Sequence, residues 1–155
     1  MPPCQGRGRK VLDIGCGKGR FARVFQEQEP GAELWGLDIS TEMLRFVPPG
    51  IRAVAASMTE MPFAGDSFDG AYATESLEHA VEIEKAVAEI CRVVKPGGRI
   101  AIIDFRMDWP EGPPRSVRLT PEQVKAELGA AGYEFVDEHD FLPKQYFLVF
   151  KVVEP

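Results

Sequence analysis

Asp13, the glycines at 15, 17 and 19, and Asp38 are the residues whose types and spacing suit chemistry. The run Lys10 to Phe21, KVLDIGCGKGRF, reads as a strand, a tight turn free of side chains, and a helix start. Such a turn brings backbone N–H groups close to a ligand. A second strand, ending in Asp38, places a carboxylate 25 positions after Asp13. A carboxylate there suits the two vicinal hydroxyls of a ribose. A further polar group, Thr74-Glu75-Ser76 followed by Glu78-His79, comes after a later apolar run. The imidazole of His79 can take or orient a proton.

The glycine spacing separates the nucleoside cofactors. A dinucleotide loop needs G-x-G-x-x-G, and the position of the third glycine is Arg20. No Gly-Lys-Ser/Thr follows to make a phosphate-binding P-loop. Asp13 is also a poor neighbour for pyrophosphate, because like charges repel in a partly dry site. S-adenosylmethionine carries a ribose, an adenine and a zwitterionic tail without phosphate, and so fits this equipment.

The elements that must position these residues alternate. Strands are predicted over 11–15, 33–37, 51–55, 68–73, 99–104, about 133–138 and 145–152. Helices are predicted over 19–28, 40–46, 80–94 and 121–131. The alternation implies a mostly parallel sheet covered on both faces. Ile83, Val87, Ile90 and Val94 form one apolar helical stripe, which Pro96-Gly97-Gly98 ends. Thr120 and Gln123 make a capping box, with Pro121 in the first turn. The last two strands are separated by only Asp140 to Lys144, too few residues for a helical crossover, so they should pair antiparallel. The fold class is therefore α/β, a Rossmann-like three-layer sandwich with a C-terminal antiparallel hairpin, over one domain spanning 1–155.

Bulk numbers narrow the function classes. The 155 residues can bury a sizeable core. A net charge of −6 argues against a nucleic-acid partner. No apolar run approaches the ~20 residues of a membrane span. Cys4, Cys16 and Cys91 have no metal or disulfide spacing, which suggests reduced thiols and a cytoplasmic setting. The two scattered histidines add no metal signal.

Four stretches together resemble the class I S-adenosylmethionine-dependent methyltransferases, in the small-molecule branch that includes ubiquinone, menaquinone and sterol methyltransferases. They are VLDIGCGKGRF (11–21), LWGLDIS (34–40), MPFAGDSFDGAYATESLEH (61–79) and EICRVVKPGGRIAIIDF (89–105). The resemblance covers residues 9–105 well and the remainder loosely. It implies a seven-stranded sheet with the last strand antiparallel, and S-adenosylmethionine as cofactor. By position, Gly15, Cys16, Gly17 and Gly19 would pass under the methionine portion and Asp13 would orient its tail. Asp38 would accept from both ribose hydroxyls, and Ile39 would pack on the adenine. Ser57 stands where the family carries an aspartate for the adenine amino group, and Met58 would offer a backbone N–H. Thr74, Glu75 and Ser76 would line the methyl-transfer side, with His79 and Glu75 as the candidate catalytic residues.

Each residue also has a plainer reading. The glycine run can be a packing turn, Asp38 a helix cap, Cys16 a small apolar filler, and His79 a solvated residue near a helix start.

Methyl transfer from a sulfonium asks for alignment and exclusion of water, and a base only where the acceptor must lose a proton. The expected reaction is O- or C-methylation of a small aromatic or lipid-like acceptor. The alternatives are a cofactor-binding interaction domain with little activity, or methylation of a protein or RNA. Only Met1 to Arg9 precede the first strand, and tens of residues stand there in most such enzymes. An open cofactor face is therefore expected, closed by a homodimer or partner subunit. The Trp109 to Pro114 loop is expected to form a preordered wall beside it.

Overall fold

The computed structural model describes residues 8–153. Seven strands form one sheet: β1 (Lys10–Ile14), β2 (Glu33–Asp38), β3 (Arg52–Ala55), β4 (Phe68–Thr74), β5 (Val94–Phe105), β6 (Tyr133–His139) and β7 (Gln145–Val152). Their order is β3-β2-β1-β4-β5-β7-β6. The five leading strands are parallel, and β7 runs antiparallel to both β5 and β6. The sheet and the terminal hairpin match the expectation. Helices α1 (Arg20–Gln28), α2 (Thr41–Leu44), α3 (Ile83–Val93) and α4 (Pro121–Ala130) connect them.

One face of the sheet carries the larger core. Leu12, Ile14, Phe68, Ile100, Ile102, Leu148 and Phe150 meet Val87 and Ile90 of α3 and Val124 and Leu128 of α4. The other face holds a smaller core, in which Val11, Leu34 and Tyr72 meet Ala22 and Phe25 of α1. Tyr133 ties the layers together by donating its hydroxyl to the Val87 carbonyl at 2.9 Å. The capping box of α4 forms as its sequence predicts. The Thr120 side chain accepts from the Gln123 N–H and the Gln123 side chain accepts from the Thr120 N–H.

Two boundaries differ from the sequence reading by more than two residues. The helix expected over 80–94 begins only at Ile83, because Leu77–His79 form a separate 3-10 turn and Ala80 is extended. The Pro96-Gly97-Gly98 segment does not precede β5 but lies within it. Val94 already pairs with Phe68, and the register shifts before Gly70 pairs with Arg99. A bulge thus absorbs the turn that the sequence places between helix and strand.

The loop after β3 leads to Met61, which α3 pins in place. Glu89 accepts from the Met61 N–H at 2.7 Å, and Arg92 donates to the carbonyls of Met61 and Phe63. The Glu89–Arg92 ion pair therefore fixes the chain just beyond Ser57 and Met58.

Candidate active site

The carboxyl ends of β1, β2 and β4 converge on a cavity of about 410 Å³. Ligands collect there in open α/β sheets because the strand order reverses beside β1. Gly15 and Gly17 form its floor, with Asp38, Ile39, Ser57 and Met58 toward one end and Glu75 and His79 toward the other.

Gly15 has φ +71°, and a Cβ on it would lie 2.4 Å from the Ser76 Cβ. The left-handed turn and the close approach both exclude a larger residue. At Gly17, with φ +54°, a Cβ would meet only the Met43 sulfur at 3.7 Å, so a side chain there would fill the cavity instead. The loop thus presents bare backbone to whatever binds.

Asp38 organises this end. Its Oδ2 accepts from the Gly17 N–H at 2.8 Å and its Oδ1 accepts from the Ser40 N–H at 2.9 Å. The helix cap is Ser40, whose hydroxyl accepts from the Met43 N–H, and not Asp38. Each carboxylate oxygen has room for a second donor, which suits two neighbouring hydroxyls. Ile39 is 77% exposed beside it, a flat apolar surface on the cavity rim. The Ser57 hydroxyl hydrogen-bonds the Thr59 hydroxyl at 2.7 Å and accepts from the Thr59 N–H.

Four of the residues singled out from the sequence do not line this cavity. Asp13 lies beneath it, 3% exposed, and accepts from the Tyr72 hydroxyl at 3.0 Å. Burial raises its pKa to about 7, against the Tyr72 hydrogen bond, with help from the negative charge of Asp38. Cys16 is buried under β2, where a Cβ on Gly36 would lie 2.7 Å from its sulfur. Burial, with Asp13 and Asp38 beside it, pushes the thiol up to about 12, so it is a filler and not a nucleophile. Gly19 caps α1, and Thr74 is buried at the end of β4.

Ser76 lines the cavity beside Glu75. Its hydroxyl donates to the Ile14 carbonyl at 2.7 Å, locking the glycine loop to the chain after β4. The sequence reading set Ser76 at the pocket but missed this contact, since no local pattern signals a bond across 62 residues.

Glu75 has φ +53°, an uncommon conformation for a side chain of this size. Its N–H donates to the Ile103 carbonyl and its carboxylate accepts from the Gln145 side chain, so both neighbours hold the strained residue in place. It stands between the first cavity and a second one of about 470 Å³. His79 is exposed on the rim, with Nε2 3.6 Å from Glu78 Oε1. Glu78 has a buried side chain, and Asp104 stands close enough to feel its charge. Glu78 Oε2 and Asp104 Oδ2 have no hydrogen-bond partner among the described residues. Burial and then the charge of Glu78 raise the Asp104 pKa to about 8, so this pair holds a proton at neutral pH.

The second cavity is walled by the loop after β5. Arg118, 6% exposed, donates to the carbonyls of Arg106, Trp109, Glu111 and Pro113 at 2.6 to 2.8 Å. A buried guanidinium satisfied entirely by main-chain oxygens makes this loop a fixed wall.

Known proteins resemble this chain in sequence and in fold. The family profile described as methyltransferase domain matches residues 12–102. An O-methyltransferase (resE) of Aspergillus sclerotiorum is 33% identical over 156 residues, covering 86% of this chain and 59% of that protein. A demethylmenaquinone methyltransferase of Paenarthrobacter aurescens is 37% identical over 101 residues, covering 63% of this chain and 39% of that protein. The chain thus spans about half the length of such curated relatives. The crystal structure of a SAM-dependent methyltransferase from Aquifex aeolicus superposes with a TM-score of 0.87. It is 19% identical, and the match covers 96% of this chain and 85% of that one.

Proposed function

This chain belongs to the S-adenosylmethionine-dependent methyltransferase family, and we propose that it methylates an oxygen or carbon of a small aromatic or lipid-like molecule. One observation carries this reading. The cavity at the strand ends joins a bare glycine floor and the Asp38 carboxylate at one end to Glu75 and His79 at the other.

S-adenosylmethionine supplies a methyl group already activated by a sulfonium. Asp38 holds the two ribose hydroxyls, and Ile39 packs on the adenine. The Ser57 hydroxyl and the Met58 N–H meet the adenine edge. Asp13 receives the charge of the ammonium through the loop above it. Glu75 and Ser76 border the path between the two cavities, where acceptor and methyl must align. His79 takes the acceptor proton where one must leave, and its exposure lets it pass that proton to solvent.

A second reading is a cofactor-binding domain that needs another subunit to turn over. The exposure of Ile39, Met43 and Phe46 along one rim supports it. A homodimer or partner closing this face would desolvate the methyl group. The scattered cysteines favour a cytoplasmic setting for either form.

Incubation with methyl-labelled cofactor and a panel of phenols, quinols and lipids tests the proposal. Label transfer to one of them is expected. Cofactor binding with no transfer, in monomer and assembly alike, would favour the second reading. His79→Gln is expected to lower turnover on phenols where the imidazole is neutral and the phenol still protonated, and to match the parent in acid, where a protonated imidazole accepts nothing. Unchanged turnover at every pH would remove His79 from the mechanism.

A further inference from the structure

We propose, resting on the methyl-transfer reading, that the cavity beyond Glu75 is the acceptor site and takes a flat aromatic molecule bearing a carboxylate. The cavity measures about 470 Å³, enough for a substituted ring. Its apolar surfaces come from Phe21, Phe105 and Trp109. Two cations stand among them, Arg20 and Lys144.

Each cation is associated with a ring of the same wall. The Arg20 guanidinium lies 5.7 Å from the Phe21 ring centre, and Lys144 Nζ lies 5.8 Å from that of Trp109. Neither forms an ion pair among the described residues. Rings for stacking beside cations without carboxylate partners match an arene that ends in an anion. The Trp109 indole N–H also lacks a hydrogen-bond partner among the described residues.

Two carboxylates line the same cavity, Glu75 and Glu111. Glu75 is held by the Gln145 amide at the boundary with the cofactor cavity. The acid group of the acceptor therefore points away from Glu75, toward Arg20 and Lys144, and the opposite edge of its ring faces the methyl. Arg118 keeps the Trp109 wall in position, so the site exists before the acceptor arrives.

The chain has two tryptophans, so Trp35→Phe leaves Trp109 as the sole source of tryptophan fluorescence. Titration of that variant with 4-hydroxybenzoate and with its neutral amide, with and without S-adenosylhomocysteine, gives the test. Saturation-transfer NMR on the unaltered chain repeats the comparison without the Trp35 change. The acid is expected to bind about tenfold more tightly than the amide. Arg20→Gln with Lys144→Gln should abolish that preference and leave S-adenosylhomocysteine affinity, measured by calorimetry, unchanged. Equal affinity for acid and amide, or a preference that survives the double change, overturns the proposal. Acid binding without any S-adenosylhomocysteine binding would overturn the methyl-transfer reading and leave the carboxylate recognition standing.

Discussion

Asp38 and Gly17 are joined across 21 residues by a 2.8 Å hydrogen bond from the Gly17 N–H to Asp38 Oδ2. The residue that reads the ribose in the proposed mode therefore also sets the shape of the glycine loop. Asp38→Ala removes both effects. Calorimetry should show S-adenosylhomocysteine binding weakened by about 1–3 kcal/mol, roughly 5- to 150-fold. An unchanged dissociation constant would mean that Asp38 serves the loop alone.

Asp13 gives the site a pH dependence with a definite sign. Its pKa is raised to about 7 by burial, so much of it is protonated at neutral pH. An ammonium bound above it favours the carboxylate form, and binding must then release a proton below pH 7. Affinity for S-adenosylhomocysteine should rise between pH 6 and 8, and approach about tenfold per unit on the acid side. Asp13→Asn should flatten that profile. An identical slope in the variant would assign the dependence to another group.

Asp104 sets a stability prediction. Its pKa in the fold is raised from 3.8 to about 8, so the folded chain binds a proton that the unfolded chain has lost. Stability must then fall as pH rises from about 4 to 8, by at most about 1.4 kcal/mol per unit for one full proton. Asp13 contributes a slope of the same sign that ends near pH 7. Denaturant unfolding of Asp104→Asn should therefore differ from the parent most clearly between pH 7 and 8, where the parent alone still loses stability. Parallel curves through that window would show that Asp104 is charged in the fold.

Arg118 predicts how rigid the acceptor wall is. Arg118→Met leaves four part-buried carbonyls without their donor, at a cost of about 2–4 kcal/mol. Amide exchange over residues 106–117 should accelerate far more than in the sheet. Arg118→Lys should not rescue it, because an ammonium cannot reproduce the planar fork. Full rescue by lysine would show that charge alone holds the loop.

Local pattern determined much of this protein. The glycine loop, Asp38, the capping box at Thr120 and the antiparallel end of the sheet all follow from residues a few positions apart, where turn chemistry and strand period act directly. Even the order of the last two strands is consistent with composition. β7 has the buried alternation of an inner strand, and β6 carries Glu134, Asp137 and Glu138 with a bulge near Val136, as suits an edge. The tertiary structure decided the rest, through contacts between distant positions. Asp13 meets Tyr72 from 59 residues away, and Ser76 locks the loop from 62. Glu78 finds Asp104, and Glu75 takes its place between two cavities through Gln145. Pleat direction at the end of β4 turned Thr74 inward, and the glycine loop turned Cys16 under β2, although their neighbours line the site. A chain's own period says which residues share a face. Which face meets which, and which charges are left dry, depends on how the strands stack side by side, and that is settled only when the whole sheet has closed its core.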